Sequence, residues 1–115
     1  MNDKLSRKDI NEQYKQRQVI GGVFLFRNTS NGKILIDASV DLKGSQNRFV
    51  FAQSTGSCVN FKLQQDWMTM GAQAFSFEVL EELEKGEDQT DRAFKEDVKT
   101  LKELWQEKLS HETFY

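Results

Sequence analysis

The chain has 115 residues, of which 30% are charged and 37% hydrophobic, and its net charge at pH 7 is −2. This balance is typical of one globular domain rather than of a disordered chain, and no apolar run approaches the roughly 18 residues of a membrane span. The polar N-terminus lacks the apolar stretch of a signal peptide and the single cysteine, Cys58, excludes an internal disulfide framework, so we expect a cytoplasmic protein.

The first predicted element is a helix from about Leu5 to Arg17, with a thin apolar line and a mostly basic surface. The pair Gly21-Gly22 is expected to end it, so residues 1–21 are interpreted as an N-terminal helical extension. The first 62 residues carry 10 basic and 5 acidic side chains, whereas the rest of the chain carries 6 and 13. Such asymmetry fits a nucleic-acid-facing half, and it fits a chance arrangement of solvated charges equally well.

Two short apolar runs follow, Val23–Phe26 and Ile34–Ile36, and a turn that contains Asn31-Gly32 joins them. Apolar runs on either side of Asn-Gly are a strong signal for a β-hairpin. Neither run alternates apolar with polar residues, which predicts strands that are covered on both faces.

The rest of the sequence is predicted to form two helices, a third strand and a last helix. Candidate N-caps, apolar spacing and stop residues set their bounds. The predicted order αββααβα gives an α+β fold with a small three-stranded sheet, a β-hairpin plus a third strand, flanked by helices. The predicted elements run from Asp41 to about Ser54, from about Asn60 to Met70, from Phe75 to Leu80, and from Thr90 to Leu109.

Two tripeptides flank the predicted hairpin turn at Asn31-Gly32-Lys33: Gly22-Val23-Phe24 precedes it and Leu35-Ile36-Asp37 follows it. Further landmarks follow in order: Asp41-Leu42-Lys43, Lys62-Leu63-Gln64 with Trp67, Gly71, and Phe75 with the stretch 77–82. In this order and spacing they resemble the GIY-YIG nuclease superfamily, whose Gly-Ile-Tyr and Tyr-Ile-Gly motifs stand where the two tripeptides stand. The resemblance implies a GIY-YIG-like domain over residues 22–112.

Members of that superfamily hydrolyse a DNA phosphodiester with one divalent metal ion, so the resemblance would imply Mg²⁺ or Mn²⁺. Their two motif tyrosines act on the attacking water, an arginine of the first helix steadies the phosphate, and a glutamate of the last helix holds the metal. At those positions this chain has Phe24, Leu35, Ser45 and Lys102, which lack the required hydroxyls, guanidinium and carboxylate. We therefore expect no catalytic residues, no metal and no cofactor, and we expect Phe24 and Leu35 to pack out of water.

Neighbouring side chains offer partial substitutes at the same cleft. Arg48 lies one helical turn beyond the arginine position and can lean back toward it. Glu96 and Glu103 are predicted to face solvent on the outer side of the last helix, whereas Lys102 flanks the apolar stripe. Asp37, at the motif glycine, is predicted to pair with Lys102 where a metal would otherwise be held; the alternative is that both point into solvent.

The sequence is compatible with several functions. One is a non-catalytic domain that binds nucleic acid weakly, since the pI is about 5.4, through Lys33, Lys43, Arg48 and Lys62. Another is a protein-interaction module that uses the acidic last helix or the N-terminal helix. The alternative to both is a metal-dependent GIY-YIG endonuclease with relocated catalytic groups. Each of these basic side chains is also compatible with a solvated surface charge, and the sequence does not indicate the oligomeric state.

Overall fold

The computed structural model describes residues 18–115, which contain three strands and three α-helices. The predicted helix Leu5–Arg17 lies outside the described residues, and the α+β class and the order of the later elements are confirmed. A membrane-crossing helix is absent from residues 18–115, since none of the helices there combines the needed length with enough apolar residues. The elements are β1 (Ile20–Asn28), β2 (Ile34–Ser39), α1 (Leu42–Thr55), α2 (Gln64–Met70), β3 (Phe75–Glu84) and α3 (Asp91–Lys108).

The three strands form one antiparallel sheet in the order β2-β1-β3, so β1 is the central strand. The hairpin pairs Phe24 with Asp37 and Phe26 with Leu35. Its turn passes through Gly32 at a φ of 77°, a conformation that glycine adopts without a steric penalty. Helices α1 and α2 pack on one face of the sheet and α3 packs on the other.

Successive residues of β1 point into two different apolar cores. Val23 and Leu25 face α3, where they pack with two buried isoleucines of β2. Phe24 and Phe26 face α1 and α2. On that side the buried residues are Leu42, Phe49, Ala52, Leu63, Trp67 and Phe75. The absence of alternation in the sequence of β1 is thereby explained, because helices cover both faces of the sheet.

The predicted helix caps are confirmed. The side chains of Asp41 and Thr90 each accept a hydrogen bond from the backbone N–H three residues later, at 3.0 and 3.1 Å. The predicted helix from Asn60 instead begins as a short 3₁₀ turn before α2. The third strand continues beyond Leu80 to Glu84, because the start of β1 pairs with it along its whole length.

Gly21 and Gly22 lie inside β1, where the neighbouring strands come unusually close. A Cβ atom on Gly21 would lie 2.5 Å from the carbonyl oxygen of Ser39, and one on Gly22 would lie 2.3 Å from that of Glu81. No side chain fits at either position. The glycines therefore belong to the sheet, and the folded unit begins before the predicted boundary at residue 22.

The C-terminal residues also extend the folded unit, past the predicted boundary at residue 112. The N–H of Ile34 donates to the carbonyl of Thr113 at 2.9 Å, and the N–H of Tyr115 donates to the carbonyl of Ile34 at 3.0 Å. The Tyr115 hydroxyl accepts from the Asn28 amide at 2.8 Å and donates to the Asp66 carboxylate at 2.8 Å. Burial raises the pKa of the Tyr115 hydroxyl above its ordinary value of 10.0, so it stays protonated and serves both partners at neutral pH.

Replacing Asn28 with alanine is expected to lower the free energy of unfolding by about 1–3 kcal/mol. Its side chain is fully buried, and its amide oxygen also accepts from the N–H of Ser30 at 2.9 Å. Truncation to alanine would remove the hydrogen bonds that the Asn28 side chain makes to the hydroxyl of Tyr115 and to the N–H of Ser30 in the turn. Urea unfolding measures the loss, and the variant Gln65→Ala, at an exposed position of α2, should lose no more than about 0.5 kcal/mol. Equal losses in both variants would contradict a special role for Asn28.

Candidate functional site

The positions at which the resemblance would place catalytic residues lie on β1, α1, α3 and, for Leu35, on β2. A cavity of about 140 Å³ lies between this strand and α1, and Phe24 is among the residues that line it. Phe24 is 2% exposed and stacks on Phe77 with ring centroids 4.6 Å apart. The predicted burial of Phe24 is confirmed, and its ring supplies packing rather than a proton.

The predicted burial of Leu35 is confirmed only in part. It packs against the aromatic core on the α1 side but remains half-buried. Its outer side borders a groove of about 360 Å³ together with Lys62 and Tyr115. The difference arises because β2 is the outer strand of the sheet, whereas Phe24 lies on the central strand.

Ser45 stands where the resemblance would place the arginine of the first helix, and Arg48 lies one helical turn later. Ser45 is buried, and its hydroxyl accepts a hydrogen bond from Nη2 of Arg48 at 3.0 Å. Residues three apart on a helix lie on the same side, which allows this contact. The predicted backward lean of Arg48 is confirmed, and its guanidinium lines the 140 Å³ cavity.

Lys102 and Asp37 form an ion pair, which confirms the predicted pairing. Nζ of Lys102 lies 3.6 Å from Oδ1 of Asp37, and the two side chains are 34% and 39% exposed. The same carboxylate oxygen accepts from the N–H of Ala38 at 2.8 Å. An ammonium group thus stands where the resemblance would place the metal-binding carboxylate, and it neutralises the nearest acidic side chain.

The other carboxylates of the described residues do not form a cation site with Asp37 in this cleft. Within the part of the chain that the structure describes, no three His, Cys, Asp or Glu side chains come close enough to hold a metal ion together. Hard divalent cations require several oxygen ligands, and the carboxylate of Asp37 is already engaged by an ammonium group. The residues present do not fit the Mg²⁺ or Mn²⁺ that the resemblance would imply.

A larger groove of about 680 Å³ lies on the other side of Asp37, between the end of β2 and α3. Lys95, Lys99 and Lys102 line it from the helix, and their i, i+4, i+7 spacing places them on one helix face. Glu96 is exposed, as predicted, but it also borders this groove. Three ammonium groups face two carboxylates here, so the groove carries a positive balance.

The predicted site residues do not include Lys95 and Lys99, because acidic and basic residues alternate along the sequence of α3 and separate only around the helix. The segment 91–108 contains five acidic and five basic residues, so the last helix itself is not acidic. The interaction module that was predicted from an acidic last helix therefore loses its premise. The repeated lysine spacing was the available signal for a basic face.

The four residues predicted to bind nucleic acid are not brought together. Arg48 lines the cavity beside α1, and Lys62 lines the groove beside Leu35. Nζ of Lys33 instead lies 5.7 Å from the centre of the Tyr115 ring. Lys43 is exposed in the first turn of α1 and lines none of these three spaces.

The cavity and the two grooves all border the stretch Leu35–Val40. At a strand rise of about 3.3 Å per residue, this stretch is roughly 17 Å long. Basic side chains from α1, α3 and the turn before α2 reach it from both faces of the sheet. We call them the β2 track, which consists of Lys62, Arg48, Lys102, Lys99 and Lys95.

A double-mutant cycle on Asp37→Asn and Lys102→Met is expected to give a coupling energy of about 0.2–1 kcal/mol. The small value follows from the 3.6 Å separation and from the partial exposure of both groups to water. Chemical unfolding of the wild type, the two single variants and the double variant measures it. Strictly additive losses would show that the pair contributes nothing to stability.

Comparison with solved structures finds two similar chains, both of the catalytic domain of the intron endonuclease I-TevI and one of them a mutant. Their TM-scores are 0.57 and 0.56, each at 21% identity. The matches cover 79% and 78% of this chain and 84% and 88% of those chains. No protein-family model matches the sequence, and no curated protein is significantly similar to it. At this identity the similarity establishes the fold alone.

Proposed function

We propose that this protein, whose fold is GIY-YIG-like as its sequence motifs predicted, is a module that binds nucleic acid without cleaving it. The ion pair between Lys102 and Asp37, at 3.6 Å, is the observation that supports this function most directly. Because this pair is itself net neutral, the positive balance beside Asp37 comes from Lys95 and Lys99 in the larger groove and from Arg48 in the cavity. Lysine and arginine are the residues that bind backbone phosphates, and phosphate contacts supply most of the affinity for nucleic acids.

Hydrolysis would need a group that activates water, and the cleft is poor in such groups. Phe24 and Leu35 have no ionisable or hydroxyl atoms. Asp37 is the one carboxylate that lines the cavity beside Arg48, and its Oδ1 is already engaged by the ammonium group of Lys102 and the N–H of Ala38. The lysine and arginine side chains in the cleft can hold a phosphodiester, but they do not provide the group that would activate water to attack it.

We expect no cleavage of plasmid or single-stranded DNA in the presence of Mg²⁺ or Mn²⁺, together with salt-sensitive binding of labelled DNA. Gel analysis tests the first part, and fluorescence anisotropy over a range of salt concentrations tests the second. For single strands the logarithm of the association constant should fall with the logarithm of salt by about 0.7 per phosphate contact.

Metal-dependent nicking that disappears in Asp37→Ala but persists in Glu103→Gln would overturn the non-catalytic function. Glu103 is a suitable control because it is an exposed carboxylate on the outer face of α3. That result would favour the alternative of an endonuclease with relocated groups. The absence of any DNA or RNA binding at low salt would remove the proposed function altogether.

A further inference from the structure

We infer that the β2 track takes a single strand of nucleic acid and that one base of this strand stacks on Phe61, an assignment that rests on the proposed function. The Phe61 side chain is 81% exposed, more than any other large hydrophobic side chain among the described residues. Single exposed apolar side chains are normal on protein surfaces, but this one is flanked in sequence by Asn60, which lines the cavity with Arg48, and by Lys62.

Phe61 occupies a defined place between two parts of the β2 track. Val59 and Asn60, which precede it, line the same cavity as Arg48. Lys62, which follows it, lines the groove at the other end of β2. Because consecutive Cα atoms are about 3.8 Å apart, the ring is anchored within a few ångströms of both sites.

The turn that carries Phe61 is firmly held. The side chain of Asn60 accepts a hydrogen bond from the N–H of Lys62 at 2.9 Å, and its carbonyl accepts from the N–H of Leu63 at 3.0 Å. Leu63 is completely buried in the aromatic core, which fixes the rotation of the turn. With Leu63 directed inward, the ring of Phe61 is left on the surface, where a base can reach it.

The combination of a basic groove and an exposed ring favours a single strand over a duplex. In a duplex the bases are already stacked on one another, so an aromatic ring gains no base to cover it. In a single strand each base has a free face, and proteins that bind single strands pair a positive groove with aromatic rings. No side chain on the track is specific for a ribose hydroxyl, so DNA and RNA strands are both compatible.

Phosphates on either side of the stacked base would meet Lys62 in one direction and Arg48 in the other. Further along the strand, the next phosphates would reach Lys102 and Lys99. Asp37 and Glu96 border the same grooves and reduce the attraction. We therefore expect binding that depends on the stacked base as well as on charge.

Fluorescence anisotropy of the whole chain with a labelled single-stranded DNA of about 12 nucleotides, the matching RNA strand and the matching duplex tests the inference. Wild type should bind the single strands more tightly than the duplex. Phe61→Ala should weaken single-strand binding by about 5- to 150-fold and leave duplex binding unchanged, whereas Phe61→Trp should restore it. Met68→Ala is the matched control, because Met68 is also strongly exposed but, unlike Phe61, has no sequence neighbour that lines one of the three spaces along β2.

A strand that carries 2-aminopurine gives a second readout, since stacking on Phe61 should quench its fluorescence in wild type and not in Phe61→Ala. If wild type binds duplex as tightly as single strands and Phe61→Ala changes neither affinity, the inference is overturned while the proposed function stands. If Phe61→Ala loses a protein contact but no nucleic-acid affinity, the ring is a protein-docking residue and the inference is equally overturned. If wild type binds no nucleic acid at all, the proposed function itself fails.

Discussion

A variant with Arg48, Lys99 and Lys102 changed to glutamate is expected to lose at least about 100-fold in affinity for single-stranded DNA at low salt. Each cation that contacts a phosphate releases a counterion on binding, and each glutamate in its place repels the strand. The three residues lie on both sides of β2, so their replacement removes charge along most of the β2 track. Anisotropy titrations should also show that the salt dependence becomes shallower, by about 2 in the logarithmic slope.

A second triple variant separates the effect of position from that of net charge. Glutamate at Lys33, Lys43 and Lys108 changes the net charge by the same amount. These side chains are not part of the β2 track, since none of the three lines the cavity or either groove along β2. We expect this control to lose less than about 5-fold. Equal losses in the two triple variants would show that affinity follows overall charge and that the track is not the binding site.

Gly22→Ala is expected to lower the free energy of unfolding by about 3 kcal/mol. The new methyl group would lie 2.3 Å from the carbonyl oxygen of Glu81, and both atoms belong to regions whose backbones are held in the sheet. Relief requires β1 and β3 to separate next to the register shift between Val23 and Phe24, which disrupts ladder hydrogen bonds. Urea or guanidinium unfolding provides the measurement.

Gly86→Ala is the matched control for this substitution. Gly86 lies in the loop before α3, and a Cβ atom there would meet Cβ of Gln89 at 3.5 Å, an ordinary contact. Its free energy of unfolding should change by no more than about 0.5 kcal/mol. A Gly22→Ala protein as stable as Gly86→Ala would mean that the two strands can move apart at little cost.

The sequence by itself was sufficient for the order of the elements after residue 18 and for where two of the helices begin. Asp41 and Thr90 cap helices through bonds to backbone groups only three residues away, so local chemistry decides where α1 and α3 begin. The apolar run of β1 predicts a strand covered on both faces, because each apolar side chain is favourably removed from water whichever face of the sheet it lies on. That Phe24 has no hydroxyl and Lys102 has no carboxylate is likewise evident from the sequence alone, independently of the fold.

Groups that are distant in sequence needed the tertiary structure. Asn28 and Tyr115 are 87 positions apart, and no local pattern indicates that a buried amide will meet a C-terminal hydroxyl. The crowding at Gly21 and Gly22 depends on which strands lie beside β1, whereas the sequence indicated only a break. The β2 track forms because the sheet places α1 on one face and α3 on the other, so their cations meet along the strand between them. Strand pairing and helix packing between distant parts of the chain determine where these side chains lie, so the local sequence does not predict their contacts.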